Sequence, residues 1–183
     1  KILEIDELGI PGEHNLQNFL AASTCSHLMG ISQNQIVRTL KEFKGVEHRL
    51  EYVRTINEVE YINDSKATNI NSVIVAINTY DQPIVLILGG FNKGANFRLL
   101  LPHIKSSHVR DIVSYGDAGG QINTALGDAV RSVQVTDLSS AVKKAQLMAA
   151  PGDIVLLSPG CASYDEFSNF EERGNHFKSI IKN

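Results

Sequence analysis

The 183-residue sequence has little of several features that mark special classes of protein. Its two cysteines, Cys25 and Cys161, have neither metal-binding nor CxxC spacing, so we expect no disulfide framework, no zinc site and a reducing, cytoplasmic location. The longest apolar runs, 84–88 and 154–157, are far shorter than the roughly 18 residues that cross a bilayer, so no membrane partner is expected. Lys and Arg number 17 against 20 Asp and Glu, and a net charge of −3 disfavours nucleic-acid binding.

The sequence does contain a regular alternation of strand and helix patterns. The segment 1–8 alternates apolar and polar residues as a strand does, and helices are predicted over 14–29 and from the N-cap Ser32 to about Phe43. Because the chain starts at Lys1 within a strand pattern, we expect it to be a piece of a longer protein. We place a domain boundary near Gly45, which gives predicted domains of residues 1–45 and 46–183.

The second predicted domain alternates strands and helices to its end. It begins with a hairpin around Asn57-Glu58, and the predicted strands are 50–55, 59–62, 84–88, 111–114, 132–135 and 153–157. The predicted helices are 71–79, 99–105, 119–126, 138–149 and 169–181. This pattern predicts an α/β fold with a Rossmann-like, mostly parallel sheet and helices on both faces, with functional groups in the loops at the carboxyl ends of the strands.

Three of those loops carry residues suited to binding an anionic metabolite. In the loop 63–69, Lys66 and Thr68 can bind a carboxylate near a helix N-terminus, and Asp64 can accept from a ribose or an ammonium group. The glycine-rich loop that follows Leu88 offers Lys93, and the loop that follows Leu157 offers Ser163. Ordinary helix-capping and strand-to-helix turns are the alternatives, and each is plausible for one loop taken alone.

The first predicted domain offers two asparagines and the boundary offers an arginine. Asn15 and Asn18 are three residues apart on one helix face, where two amides can bind a purine or a ribose. His48-Arg49 lies at the boundary, where the arginine can reach a phosphate. The alternatives are a solvated helix start and a surface pair on a linker.

These motifs, in this order along nearly the whole chain, resemble the C-terminal portion of the Mur ligases and most closely the branch that adds D-glutamate. The run NDSKATN at 63–69 is typical of that branch. The other matching motifs are Gly12-x-His14-Asn15-x-x-Asn18, His48-Arg49, Gly89-Gly90-x-x-Lys93, residues 157–163 and Phe170-x-x-Arg173-Gly174.

The resemblance implies an ATP-dependent ligase of peptidoglycan synthesis, which adds D-glutamate to UDP-N-acetylmuramoyl-L-alanine through an acyl-phosphate intermediate. It implies a D-glutamate pocket of Lys66, Thr68, Lys93, Ser163 and Phe170. It also implies ATP contacts from Asn15, Asn18, Arg49 and Asp64. In that family the C-terminal domain follows a central ATPase domain, so residues 1–45 correspond to the tail of the central domain.

The sequence departs from the family pattern in two respects. The GxxxxGK[ST] P-loop and the magnesium ligands of the central domain are absent, so we expect no catalytic residue in this segment, no ligation by it alone, and Mg²⁺ bound mainly elsewhere in the ligase. Tyr164 stands where a leucine-like residue is expected. We expect a monomer that binds small molecules, and the alternative is a stand-alone, non-catalytic α/β module that binds a small acidic metabolite.

Overall fold

The structure is a computed structural model that describes residues 3–4, 7–10 and 13–182, apart from the side chains of Glu13 and His14. Contacts divide the chain into two compact units, Lys1–Val46 and Glu47–Asn183. The boundary predicted from the sequence lies near Gly45, and the assignment of each part to a ligase domain stays a prediction. No helix in the described ranges is long and apolar enough to cross a membrane.

The first unit contains two packed helices, α1 (Glu13–Leu28) and α2 (Gln33–Glu42), which confirms both predicted helices. Ser32 caps α2 in a capping box, because its hydroxyl accepts from the Gln35 amide while the Gln35 side chain accepts from the Ser32 amide. Phe19 of α1 is buried together with two apolar residues of α2, Ile36 and Leu40.

The described residues of the segment 1–8 do not form the predicted strand. Leu3 and Glu4 are not in a strand, and Glu7 lies in a 3-10 turn followed by bends. Leu3 and Leu8 pack against the buried residues of α1 and α2. The described part of this unit has no strand to pair with, so the alternating apolar residues pack on helices instead. Residues 1–2 and 5–6, and Pro11 and Gly12 of the predicted turn, lie outside the described residues.

The second unit is a six-stranded sheet with helices on both faces, which confirms the predicted fold class. The strand order is β1-β2-β6-β3-β4-β5; β1 and β2 form an antiparallel hairpin, and the other neighbours are parallel. The strands are β1 (Glu51–Ile56), β2 (Val59–Asn63), β3 (Ile84–Gly89), β4 (Val109–Tyr115), β5 (Arg131–Gln134) and β6 (Ile154–Gly160). The helices are α3 (Ile70–Ile77), α4 (Leu101–Ser106), α5 (Gly119–Leu126), α6 (Leu138–Met148) and α7 (Phe170–Lys182), and a 3-10 helix (Phe97–Leu100) precedes α4.

Two apolar clusters, one on each face, explain why the central strands are continuous apolar runs. Along β3, Ile84 and Leu86 belong to the cluster under α3, α4 and α5, whereas Val85 and Ile87 belong to the cluster under α6 and α7. A strand whose two faces are both covered has no polar face, as is typical of parallel sheets. This arrangement leaves the carboxyl ends of the strands as the edge where polar loops collect.

Candidate functional site

Three polar loops meet at the carboxyl edge because β2, β6 and β3 are neighbours in the sheet. Backbone hydrogen bonds join the loops to one another. Phe91 and Ala162 exchange N–H···O bonds of 2.9 and 3.1 Å, and the Gly160 amide donates to the Ala67 carbonyl at 2.8 Å. The end of β6 and the loop that follows it therefore lie between the other two loops and are bonded to both.

Gly90 allows the loop that follows β3 to approach so closely. Its φ is +116°, and a Cβ at this position would lie 2.3 Å from the Ala162 carbonyl oxygen. No side chain fits in that space. Glycine is therefore required at this position by the contact between the two loops, which an ordinary strand-to-helix turn would not require.

The two lysines of the predicted D-glutamate pocket each lie against an aromatic ring. Lys66 Nζ is 5.4 Å from the centroid of the Phe170 ring, and Lys93 Nζ is 4.7 Å from the centroid of the Tyr164 ring. Both distances are within the range of cation–π attraction. The structure thus brings Lys66 to Phe170, and it brings Lys93 to the residue that follows Ser163.

Ser163 and Thr68 occupy different environments. Ser163 is buried, and its carbonyl accepts from the amides of Glu166 and Phe167 at 3.2 and 2.8 Å, which fixes the backbone there. Thr68 is exposed beyond Lys66 on the loop that follows β2. The five predicted pocket residues therefore lie on neighbouring loops and at the start of α7, with both lysines exposed.

Asp64 lies below this surface and is 5% exposed. Its carboxylate accepts from the Ser158 hydroxyl at 2.9 Å and from the Leu50 amide at 3.2 Å. Burial raises the pKa of Asp64 to about 7, although both hydrogen bonds and the nearby Arg49 charge favour the ionised form. Its role in ribose binding stays a prediction.

His48 is buried, so the alternative of a surface His-Arg pair is wrong for the histidine, while Arg49 is exposed. Asn63 Nδ2 donates to His48 Nδ1 at 3.0 Å, and the Lys66 amide donates to the His48 carbonyl at 3.0 Å. Burial, aided by the nearby Lys178 charge, lowers the pKa of His48 and favours the neutral ring. A Cβ on Gly174 would lie 2.2 Å from His48 Nδ1, so the ring fits only against glycine.

A salt-bridged cluster anchors the segment that precedes β1. Lys178 of α7 binds Glu47 and also Glu51, whose other oxygen accepts from Asn63 Nδ2 at 2.9 Å. The hydrogen bond with Lys178 lowers the pKa of Glu47. Single-sequence reasoning missed this cluster, because Glu47 and Lys178 are 131 positions apart with no shared motif.

Asn15 and Asn18, the predicted adenine-side residues, lie on α1 of the first unit. Asn18 is exposed and Asn15 is half-buried. Their spacing of three residues places them on one face of the helix, as predicted. Gly12 and the side chain of His14, from the same motif, lie outside the described residues.

A separate cleft of about 610 Å³ lies at the carboxyl ends of β4 and β5. It is lined by Asp117, Gln134 and Thr136, and by Asp165 and Glu166 from the loop that follows β6. Burial raises the pKa of Glu166, whose carboxylate accepts from the Leu138 amide at the start of α6. This hydrogen bond ties the loop to α6.

Comparisons with known proteins agree with the predicted family. Residues 48–161, more than half of the chain, match the family described as Mur ligase, glutamate ligase domain. A UDP-N-acetylmuramoylalanine–D-glutamate ligase of Pelotomaculum thermopropionicum is 48% identical over 96% of this chain. The chain covers 39% of that relative, so it spans about two fifths of the length of the protein that it matches.

Solved structures share the fold at low sequence identity. A UDP-N-acetylmuramate–alanine ligase of Thermotoga maritima aligns with a TM-score of 0.70 and 16% identity, over 94% of this chain and 39% of that chain. A MurF ligase of Thermotoga maritima, solved in complex with ADP, aligns with a TM-score of 0.60 and 14% identity, over 89% of this chain and 38% of that chain. These two alignments establish the fold alone, and the sequence match establishes the family. The chain belongs to the Mur ligase family.

Proposed function

We propose that this chain supplies the D-glutamate pocket and part of the ATP site of a ligase that adds D-glutamate to UDP-N-acetylmuramoyl-L-alanine. The observation that carries the proposal is the pair of lysines at the carboxyl edge of the sheet. Lys66 lies against the ring of Phe170 at the start of α7, and Lys93 lies against the ring of Tyr164 in the loop that follows β6. The 48% identical relative, which is named for this reaction, supports the same substrate.

A dianionic amino acid needs two separate anchors for its carboxylates. Thr68 and Lys93 would hold the α-carboxylate, and Ser163 with the backbone near Phe170 would hold the side-chain carboxylate. Lys66, steadied by the Phe170 ring at 5.4 Å, would add a second positive charge. Two fixed carboxylates leave the amino group free and oriented, and such positioning is a major source of rate in reactions that join two substrates.

On the nucleotide side, Asn15 and Asn18 would bind the adenine, Arg49 the phosphates and Asp64 the ribose. The exposed guanidinium of Arg49 fits a phosphate, whereas Asp64 would need to exchange one of its two internal hydrogen bonds for a ribose hydroxyl. ATP, when bound, supplies the phosphoryl group that activates the carboxylate of the acceptor. The described residues contain no group of three or more His, Cys, Asp or Glu side chains placed to hold a metal ion. We assign the Mg²⁺ ligands to the central domain of the ligase.

In this proposal, residues 1–45 are the tail of the central domain and residues 46–183 are the C-terminal domain. The chain alone would not catalyse ligation, because the P-loop and the metal site belong to the other parts of the ligase. The ligase would act in the cytoplasm as a monomer.

The test is a ligation assay on the full-length protein that carries this chain, with ATP, Mg²⁺, UDP-N-acetylmuramoyl-L-alanine and D-glutamate. We expect ATP-dependent formation of the D-glutamyl product, with L-glutamate and D-aspartate as poor substrates. Lys93→Ala and Thr68→Ala should each raise KM for D-glutamate, by roughly 10-fold or more for the lysine, since a charged hydrogen bond is worth about 1.5–3 kcal/mol.

Lys105→Ala is the matched control. This exposed lysine lies at the end of α4, shortly before the amino end of β4 and therefore away from the carboxyl edge. It should leave KM for D-glutamate unchanged. If Lys93→Ala and Thr68→Ala also leave KM and kcat unchanged, the pocket assignment is wrong. If D-glutamate binds by calorimetry but no product forms, the chain is an acid-binding module and the ligase proposal fails.

A further inference from the structure

We propose that Arg173 is a positioning residue for the D-glutamate site: its buried guanidinium holds the loops that follow β2 and β6 together, and thereby sets the places of Lys66 and Ser163. This inference rests on the function proposed above.

Arg173, on the first turn of α7, uses every N–H of its guanidinium within the protein. It is fully buried, with 0% exposure. Nε donates to Ser65 Oγ at 2.9 Å, and Nη2 donates to the Ser65 carbonyl at 2.8 Å and the Cys161 carbonyl at 3.1 Å. Nη1 donates to the carbonyls of Cys161 at 3.1 Å and Ala162 at 3.2 Å. A guanidinium has five N–H donors, so these five bonds satisfy all of them.

The bonded residues are the direct neighbours of the proposed ligand contacts. Ser65 precedes Lys66, and Ala162 precedes Ser163. The Ser65 hydroxyl, which accepts from Arg173, donates in turn to the Phe170 carbonyl at 2.8 Å. One side chain therefore fixes the backbone beside both predicted anchors and the start of α7.

The same guanidinium lies close to the third loop. An added Cβ on Gly90 would be 3.1 Å from Arg173 Nη1, so the loop that follows β3 passes directly over the guanidinium. Lys93 follows Gly90 by three residues. Arg173 is thus in contact with two of the pocket loops and adjacent to the third.

Filling space in the core does not by itself require a charged side chain at position 173. No carboxylate among the described residues forms an ion pair with Arg173, so its direct partners are the carbonyls of Ser65, Cys161 and Ala162 and the Ser65 hydroxyl, while the Glu166 carboxylate acts on it only from a distance. Burying a charge without a direct ion pair is costly, whereas an apolar side chain would avoid that cost but leave these carbonyls without a donor. What an apolar residue or a lysine lacks is the planar fork that binds acceptors on two loops at once.

The experiment compares Arg173→Lys and Ser65→Ala with the wild type, in the full-length protein. Arg173→Lys keeps the charge but loses the fork, and Ser65→Ala removes only the hydroxyl between Arg173 and Phe170. We expect KM for D-glutamate to rise by about 10-fold or more for Arg173→Lys and by a smaller factor for Ser65→Ala, with KM for ATP changed less than about twofold. Arg110→Lys is the control, because Arg110 binds Asp111 and Asp153 near the amino ends of the strands, and it should not change KM for D-glutamate.

Cys161 gives a readout that does not depend on activity. Its carbonyl accepts from Arg173 and its side chain is 2% exposed, whereas Cys25 is exposed. Iodoacetamide labelling, read by peptide mass spectrometry with Cys25 as the internal reference, should be slow at Cys161 in the wild type. In Arg173→Lys, loosening of the loop should raise the rate of labelling at Cys161 by about 10-fold or more.

Each outcome decides between the possibilities. If Arg173→Lys leaves both KM for D-glutamate and Cys161 labelling unchanged, the positioning role is wrong. If Arg173→Lys does not fold, Ser65→Ala decides, and an unchanged KM in that variant also overturns the role. If the wild type neither ligates nor binds D-glutamate, the proposed function fails, while altered Cys161 labelling would still show that Arg173 holds the loop.

Discussion

Asp64 is the residue whose environment makes the clearest pH prediction. Its pKa is raised from the usual 3.8 to about 7, chiefly by burial. The folded state therefore holds this proton more tightly than the unfolded state does. The stability that Asp64 contributes is fully present below about pH 3.8 and is lost as pH rises through about 7. Asp64→Asn keeps the shape and removes the charge, so at pH 8 the variant should be more stable than the wild type, by on the order of 2 kcal/mol.

The measurement is thermal unfolding of both proteins between pH 4 and pH 8, where the difference should grow with pH. Asp137→Asn is a control of opposite sign. The hydroxyl of Thr136 and the Ser140 amide lower the pKa of Asp137, the N-cap of α6, so its contribution is lost as pH falls. If the difference in unfolding temperature between Asp64→Asn and the wild type stays constant from pH 4 to pH 8, the prediction is wrong.

At the residue scale, the sequence predicted which side chains face solvent in the loops better than which ones lie beneath them. Lys66 and Lys93 are exposed at the carboxyl edge, as a binding role requires. The buried supports, His48 and Arg173, depend on partners 15 and 108 positions away. A single sequence has no periodicity or spacing that pairs such distant residues, so their contacts could not be predicted.

At the element scale, the β1–β2 hairpin contains a correctable strain. Asn57 and Glu58 have φ of +51° and +61°, and the left-handed region costs a residue with a Cβ roughly 1–2 kcal/mol relative to glycine. Glu58→Gly should therefore stabilise the hairpin by about 0.5–1 kcal/mol, after the greater chain entropy of glycine is counted. The bond from the Gly152 amide to the Glu58 carbonyl, 2.8 Å, uses only backbone and is kept.

Hydrogen exchange of the β1 and β2 amides is the suitable measurement, because it reports this element directly. Exchange should slow by roughly twofold to fivefold in Glu58→Gly. Glu58→Ala keeps the Cβ and hence the strain, so it should exchange like the wild type. Equal slowing in both variants would show that the side chain, and not the backbone angle, sets the stability.

The elements themselves were largely predictable, for a physical reason that also explains the exception. The parallel strands are buried on both faces, so their apolar runs are distinct, and α2, α3 and α6 begin at side chains that cap them, Ser32, Asn69 and Asp137. The segment 1–8 had strand alternation too. Alternation alone does not make a strand without a partner, and its apolar residues Leu3 and Leu8 pack on helices.

At the scale of the whole molecule, the distribution of charge matters more than its sum. The chain carries a net charge of −3, which by itself would repel a dianionic amino acid. The proposed site nevertheless gathers Lys66, Lys93 and the buried Arg173 at one edge of the sheet. Asp111 offsets Arg110 and Arg131 near the amino ends of the strands, and the acidic residues of the carboxyl edge, Asp117, Asp165 and Glu166, line the separate cleft at β4 and β5.

The local group of positive charges at the proposed pocket predicts a salt dependence of KM that is specific to the acidic substrate. The Debye length falls from about 30 Å at 0.01 M salt to about 3 Å at 1 M, so exposed lysines lose most of their reach at high salt. KM for D-glutamate in the full-length protein should rise by roughly threefold to tenfold across that range, with a smaller change in kcat. Lys93→Gln should reduce the dependence of this KM on salt concentration, since it removes one of the two exposed lysines of the proposed D-glutamate pocket. A slope that is equally steep in Lys93→Gln would mean that the attraction arises from charges elsewhere in the protein, and the carboxyl edge would then position the substrate without attracting it.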